Sequence, residues 1–172
     1  MKTLFDRARE GDISILEDKD CSVVKNNNGW TPLHGLADQG KLEVLQHPDC
    51  SIIKDNDGWS PLHWLAYQGK IEILNHKDCS IVKNNNGWTP LHFLANQGKI
   101  EVLDHLDCSV VKNNYGKTPL HILAFQGKLE STHLKKFFPW YQRKEEGKIT
   151  KEEITEILNT PQAIQYILEE DK

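Results

Sequence analysis

The chain has 172 residues, 38% of them hydrophobic, with 21 Lys and Arg against 25 Asp and Glu for a formal net charge of -4. This is the composition of an ordinary globular chain with enough apolar residues for one continuous core. The charge is spread along the sequence, so no basic face is present to neutralise a nucleic-acid backbone, and no stretch approaches the roughly 18 apolar residues of a membrane span.

At the amino terminus, Lys2, Asp6, Arg7, Arg9 and Glu10 interrupt any apolar run of signal-peptide length, so retention in the cytoplasm is expected. A short helix is predicted over Leu4, Phe5 and Ala8, closed by Gly11. From Gly29 onward the chain repeats itself. Gly29, Gly58, Gly87 and Gly116 recur every 29 residues, and each is followed eleven residues later by Gly40, Gly69, Gly98 or Gly127. A period on this scale means a solenoid of stacked units. Within the first block, Asn26-Asn27-Asn28-Gly29 signals a turn, and Thr31 precedes Pro32 as an N-cap before a proline at the first helical position. Leu33, Leu36 and Ala37 then give a helical apolar stripe, which Gly40 ends. A second short helix carries Leu42, Val44 and Leu45. Isolated helices below about 12 residues are marginal in water, so stacking must supply the core.

The segment Gly29-Trp30-Thr31-Pro32-Leu33-His34, with Gly40 and the Leu42/Val44/Leu45 set, resembles the ankyrin repeat. The signature returns at Pro61-Leu62-His63, Pro90-Leu91-His92 and Pro119-Leu120-His121, in phase with the glycines. The resemblance implies an all-α solenoid of helix-turn-helix units over residues 1–130: an N-terminal cap over 1–28, repeats over 29–57, 58–86 and 87–115, and a last partial repeat over 116–130. The unit is shorter than the family's usual 33 residues or so. The shortage falls between Leu45 and Asp49 and amounts to about one helical turn, so the second helix is expected to shorten with its apolar face in register. The cap is polar because Arg7 stands where Leu36 stands in the next unit. Residues 131–172 are expected to form an extra C-terminal helical segment: a helix over about 130–138, a Lys/Glu-rich connection, a helix over about 151–158 begun by Thr150 in a capping box, and a last one begun at Thr160-Pro161.

Several patterns resemble chemistry. The resemblance assigns His34, His63, His92 and His121 to hydrogen bonds with the backbone of the turns. A second set, His47, His76 and His105, lies three residues before Cys50, Cys79 and Cys108. A structural zinc site needs four ligands on one metal, whereas equivalent residues of successive helices stand about 8–10 Å apart, so no metal is expected. The same spacing disfavours disulfides between neighbours. The cysteines take the place of a small buried alanine in the family and are expected as reduced core residues. The run Glu146 to Glu153 has the glycine, isoleucine and closing glutamate of a calcium loop, but Lys144 falls on a ligand position and cannot coordinate calcium. No phosphate loop and no nucleophile-base set is present. Neither a catalytic residue nor a cofactor is expected.

The expectation is therefore a non-catalytic protein-binding module, monomeric, with a protein partner. Candidate contacts are Trp30, Trp59, Trp88 and Lys117, which follow the opening glycines and which the resemblance places at projecting turns. Three tryptophans in a column suit a hot spot, or each indole packs on the next turn; both readings stand. Asp38, Tyr67, Asn96 and Phe125 join them, together with Asp57 and Tyr115, on the concave side that the resemblance implies. At the variable helix position occupied by Gly35, Trp64, Phe93 and Ile122, the aromatic Trp64 and Phe93 are expected to fill space between repeats. The run from Lys135 to Lys144 mixes aromatics with bases and is read as a cap over the last repeat. The alternative function is an inhibitor or regulatory subunit acting through the tail from Arg143 to Lys172.

Overall fold

The computed structural model describes residues 2–137 together with 156, 157 and 159. Every element among them is a helix: α1 (Leu4–Arg9), α2 (Pro32–Asp38), α3 (Pro61–Tyr67), α4 (Pro90–Asn96), α5 (Pro119–Phe125) and α6 (Ser131–Phe137), with short 3-10 helices between them. Each of α1 to α4 packs on the next helix in sequence, which is the contact pattern of a solenoid. The helix expected over about 130–138 is α6. Of the one expected over about 151–158, residues 156 and 157 are described; they are helical, and Ile157 is buried. The capping box at Thr150, the helix at Thr160-Pro161, the run from Phe138 to Lys144 and most of the proposed regulatory tail lie outside the described residues.

Helices α2 to α5 begin in the same way. Thr31, in extended conformation, accepts the His34 N–H with its hydroxyl, while the Thr31 N–H donates to His34 Nδ1 at 3.1 Å. The helix start is thereby capped in both directions, with histidine in the role usually played by a glutamate. Thr89 with His92 and Thr118 with His121 repeat the arrangement. Because Nδ1 is an acceptor here, the ring proton sits on Nε2, and that nitrogen donates across the repeat boundary: His34 to the Trp59 carbonyl at 3.0 Å, His63 to that of Trp88 at 3.0 Å and His92 to that of Lys117 at 2.9 Å. The role expected for these histidines is the observed one.

Leu33, Leu36 and Ala37, and their counterparts in α3, α4 and α5, are buried in one continuous core. The second helix of each unit is reduced to a five-residue 3-10 turn, Leu42–Gln46 in the first case, which buries Val44 alone. A missing turn thus leaves too little chain for an α-helix, since the tighter winding spans the same gap with fewer residues. Residues 1–28 contribute more than a polar end: after α1 they form 3-10 turns that bury Ile15 and Cys21 as later units bury Val44 and Cys50. Arg7 closes the end, its Nε donating to Asp12 at 2.8 Å and a terminal nitrogen to Ser14 at 2.7 Å.

The hairpin tips are stitched together. The Asn56 N–H donates to the Asn28 carbonyl, and the Asn56 side-chain amide donates to the Asn27 carbonyl; Asn85 and Asn114 do the same one and two units later. This brings backbone against Gly58, whose φ is +79° and whose missing Cβ would lie 2.8 Å from the Asn85 nitrogen. Gly116 has φ +70° with open space around it. Gly116→Ala should therefore cost only the left-handed backbone penalty, about 1–2 kcal/mol. Gly58→Ala adds the loss of a stitched junction and should cost a further 1–3 kcal/mol or so, measured by urea unfolding. Equal losses at the two sites would refute the close-approach account.

Candidate functional site

The tryptophans that follow the opening glycines form neither a bare column nor a sealed core. Trp30, Trp59 and Trp88 are half-buried, and the aromatic residues of the helices link them into a ladder. Trp30 meets Trp64 at 4.5 Å between ring centroids, Trp64 meets Trp59 at 4.8 Å, Trp59 meets Phe93 at 4.3 Å and Phe93 meets Trp88 at 5.1 Å. Tyr67 leans edge-on against Trp59, Trp64 and Phe93. Such pairs contribute about 0.5–1.5 kcal/mol each beyond area burial. That offsets the cost of Trp64 Nε1, which is out of water without an acceptor, on the order of 1–3 kcal/mol. Phe93 is 8% exposed and Trp64 half-buried, so both fill the space between repeats as expected.

The remaining candidates fall on the same side. Tyr67 is 46% exposed and Phe125 39%, with the exposed Asn96 between them in sequence order. Asp38 is half-buried and accepts from Gln68 at 3.1 Å; the Asn96 carbonyl accepts from Gln126 at 2.7 Å. In the fourth unit, where tryptophan gives way to Lys117, the ammonium lies 4.9 Å from the Phe125 ring centroid. Asp57 and Tyr115 are exposed at hairpin tips.

Between the first two hairpins lies a recess of about 520 Å³, lined by Asn28, Trp30, Asp55, Asn56, Asp57, Trp59 and Trp64. Asp55 was not singled out from the sequence. Its signal was available: the corresponding residues in the other hairpins are Asn26, Asn84 and Asn113.

A second apolar column runs along the loops after the 3-10 turns, where Val23, Ile52 and Ile81 are each more than two-thirds exposed. Beside it, Lys25, Lys54 and Lys83 each donate an ammonium proton to the carbonyl 29 residues on.

The repeated His and Cys positions are occupied by structure. Nδ1 of His47, His76 and His105 accepts the N–H two residues ahead, at 3.1–3.2 Å. Cys21, Cys50, Cys79 and Cys108 are buried and in no disulfide. Burial pushes the Cys50 and Cys79 thiols up to about 12, and the nearby Asp78 and Asp107 carboxylates add to it. They are small core hydrophobes rather than nucleophiles.

Burial holds His63, His92 and His121 down at about 4 and lowers His34 from 6.5. A proton on Nδ1 would also face the N–H that this nitrogen accepts. The folded pKa lies below the unfolded value, so the unfolded chain binds more protons at acid pH. The stabilisation is complete above about pH 6.5 and is lost as pH falls towards 4, on the order of 2 kcal/mol at pH 4.5 for each of His63, His92 and His121, with His34 acting in the same direction. Urea midpoints should drop steeply over that window; a flat profile between pH 6.5 and 4.5 would contradict the neutral-histidine assignment. Asp12, held at about 2 by Ser14 and Arg7, acts only below the window.

Residues 73–134 match a family model for ankyrin repeats in three copies. Among curated proteins, none matches the chain.

Proposed function

Since residues 73–134 belong to the ankyrin-repeat family and the same unit recurs upstream in register, we propose that this chain is a binding module whose inner-helix and hairpin face holds a protein partner. Ankyrin repeats serve generally in protein binding and are typically non-catalytic. The observation that carries the reading for this face is the run of exposed aromatic side chains, Tyr67, Tyr115 and Phe125, which the stack does not need for its core. Large amphipathic side chains on a rigid scaffold give contact area at low entropic cost, which is why they anchor interfaces. Lys117 over Phe125 and the carboxylates of Asp38, Asp57 and Asp55 supply polar groups around them. No helix among the described residues is long and apolar enough to cross a membrane.

The site residues divide by what their loss would do. Trp30, Trp59 and Trp88 are bound into the ladder, so replacing them tests stability as much as binding. Tyr67, Asn96, Tyr115, Lys117 and Phe125 are the contacts that can be changed without opening the core.

The test uses the full chain as bait for partners, in three variants. Tyr67→Ala with Phe125→Ala should weaken capture of the partner by tenfold or more while circular dichroism shows the chain still folded, the urea midpoint falling only by the edge contacts that Tyr67 gives up, about 0.5–1.5 kcal/mol each. Ile52→Asp with Ile81→Asp, on the opposite apolar column, should leave capture unchanged. Truncation after Gln142 should likewise retain it. If the Ile52/Ile81 variant or the truncation abolishes capture while the Tyr67/Phe125 variant retains it, the inner-face reading fails; in the truncation case the tail-mediated regulatory function replaces it.

A further inference from the structure

We infer that the recess between the first two hairpins receives the cationic head group of a lysine or arginine side chain supplied by the partner. This rests on the reading that a protein binds the inner face, and names the chemistry recognised there.

Three tryptophans converge on the recess. Trp64 packs against both neighbours, tilted 59° to Trp30 and 37° to Trp59 with centroid separations of 4.5 and 4.8 Å, so it wedges between them and all three rings present their remaining surface to the recess. A cation over a tryptophan face is attracted by the ring quadrupole. Trp64 is the single tryptophan in its column, where the other units carry Gly35, Phe93 and Ile122. A lining of three tryptophans is therefore particular to this junction; the next one sets Phe93 between Trp59 and Trp88.

So is the charge. Asp55 and Asp57 line the same recess, whereas the other hairpins carry Asn26 and Asn28, Asn84 and Asn86, and Asn113 and Tyr115 at these positions. The fold does not ask for the charge. Asp55 Oδ1 accepts the Asp57 and Trp59 N–H groups at 3.0 and 2.8 Å. The amide oxygens of Asn26, Asn84 and Asn113 accept the equivalent pairs at 2.9–3.0 Å. An asparagine therefore closes this turn as well as an aspartate. Neither Asp55 nor Asp57 is in an ion pair with a described residue, and the ammonium of Lys25, which approaches this region, is bound to the Lys54 carbonyl at 2.9 Å. Asp55 is already only 9% exposed and Asp57 is exposed; a neutral apolar ligand would strip water from the Asp57 carboxylate with nothing in return, which is costly, whereas a cation satisfies rings and carboxylates together. The chain shows the same pairing within itself, where Lys117 takes the tryptophan's place and lies over Phe125.

The experiment follows the indole N–H signals of the full chain by NMR during titration with N-acetyl-arginine amide, N-acetyl-lysine amide and the neutral N-acetyl-citrulline amide. Saturable shifts at Trp30 and Trp59 are expected with at least one charged probe and not with citrulline; the probe that saturates first identifies the head group. The doubly substituted Asp55→Asn, Asp57→Asn chain keeps its turn, as the other hairpins do, and should bind the cation roughly fivefold or more weakly. Equal response to citrulline, undiminished binding by the doubly substituted chain, or no saturable shift with either cation overturns the inference. Partner capture through Tyr67 and Phe125 could survive that result, leaving the binding reading intact; cation binding alongside capture that ignores the inner face would sink the binding reading and spare the recess.

Discussion

The neutral histidine at the third position of α2, α3 and α4 joins one repeat to the next. Its Nδ1 accepts from the backbone of its own cap, and its Nε2 donates to a carbonyl in the next hairpin. The cap bond is buried and the bond across the boundary part-buried, and such a hydrogen bond is expensive to leave half-made. The unit has one two-turn helix and one 3-10 turn, far below what folds alone. Cooperation between units is therefore obligatory, and this side chain, with the asparagine stitches at the hairpin tips, carries it across each boundary. The arrangement requires an uncharged ring, which ties the integrity of the stack to pH.

That constraint also builds the aromatic face. The carbonyls that the histidines hold belong to Trp59, Trp88 and Lys117, the residues that follow the opening glycines. Fixing those backbone atoms fixes where each side chain leaves the hairpin. Trp59 and Trp88 then come into range of Phe93 on α4, and Trp30 of Trp64 on α3. The ladder is thus both a joint and a surface: one part of each indole packs on a neighbour, and the rest is offered outward. This dual use explains why the half-buried rings make poor targets for isolating binding from stability, and why the exposed Tyr115 and Phe125 separate the two more cleanly than Tyr67, which leans on the ladder.

The face is uneven along its length. Its first junction gathers three tryptophans with Asp55 and Asp57, and its last carries Lys117 over Phe125. A repeat scaffold produces such gradients cheaply, because each column position can vary without disturbing the stitches, caps and core that recur beside it. Charge and aromatic surface differ from unit to unit while the backbone does not.

The sequence by itself determined the unit, its period and its register. The glycines at 29-residue spacing, the Thr-Pro-Leu-His starts and the Leu/Leu/Ala stripes are local signals that read the same wherever the unit sits, and they led directly to α2 through α5 and to the buried cysteines. The second element read as a shortened helix and is a 3-10 turn, because its winding depends on how far the chain must reach between neighbours. Whether Trp30, Trp59 and Trp88 were wet or packed could not be read from the sequence either. Their exposure is decided by Trp64 and Phe93, which lie 34 residues beyond Trp30 and Trp59 in the chain and beside them only in the stack. The same holds for Asp55: its carboxylate stood out in its column, but that it shares a recess with three indoles is a product of tertiary packing, in which two hairpins and a helix meet.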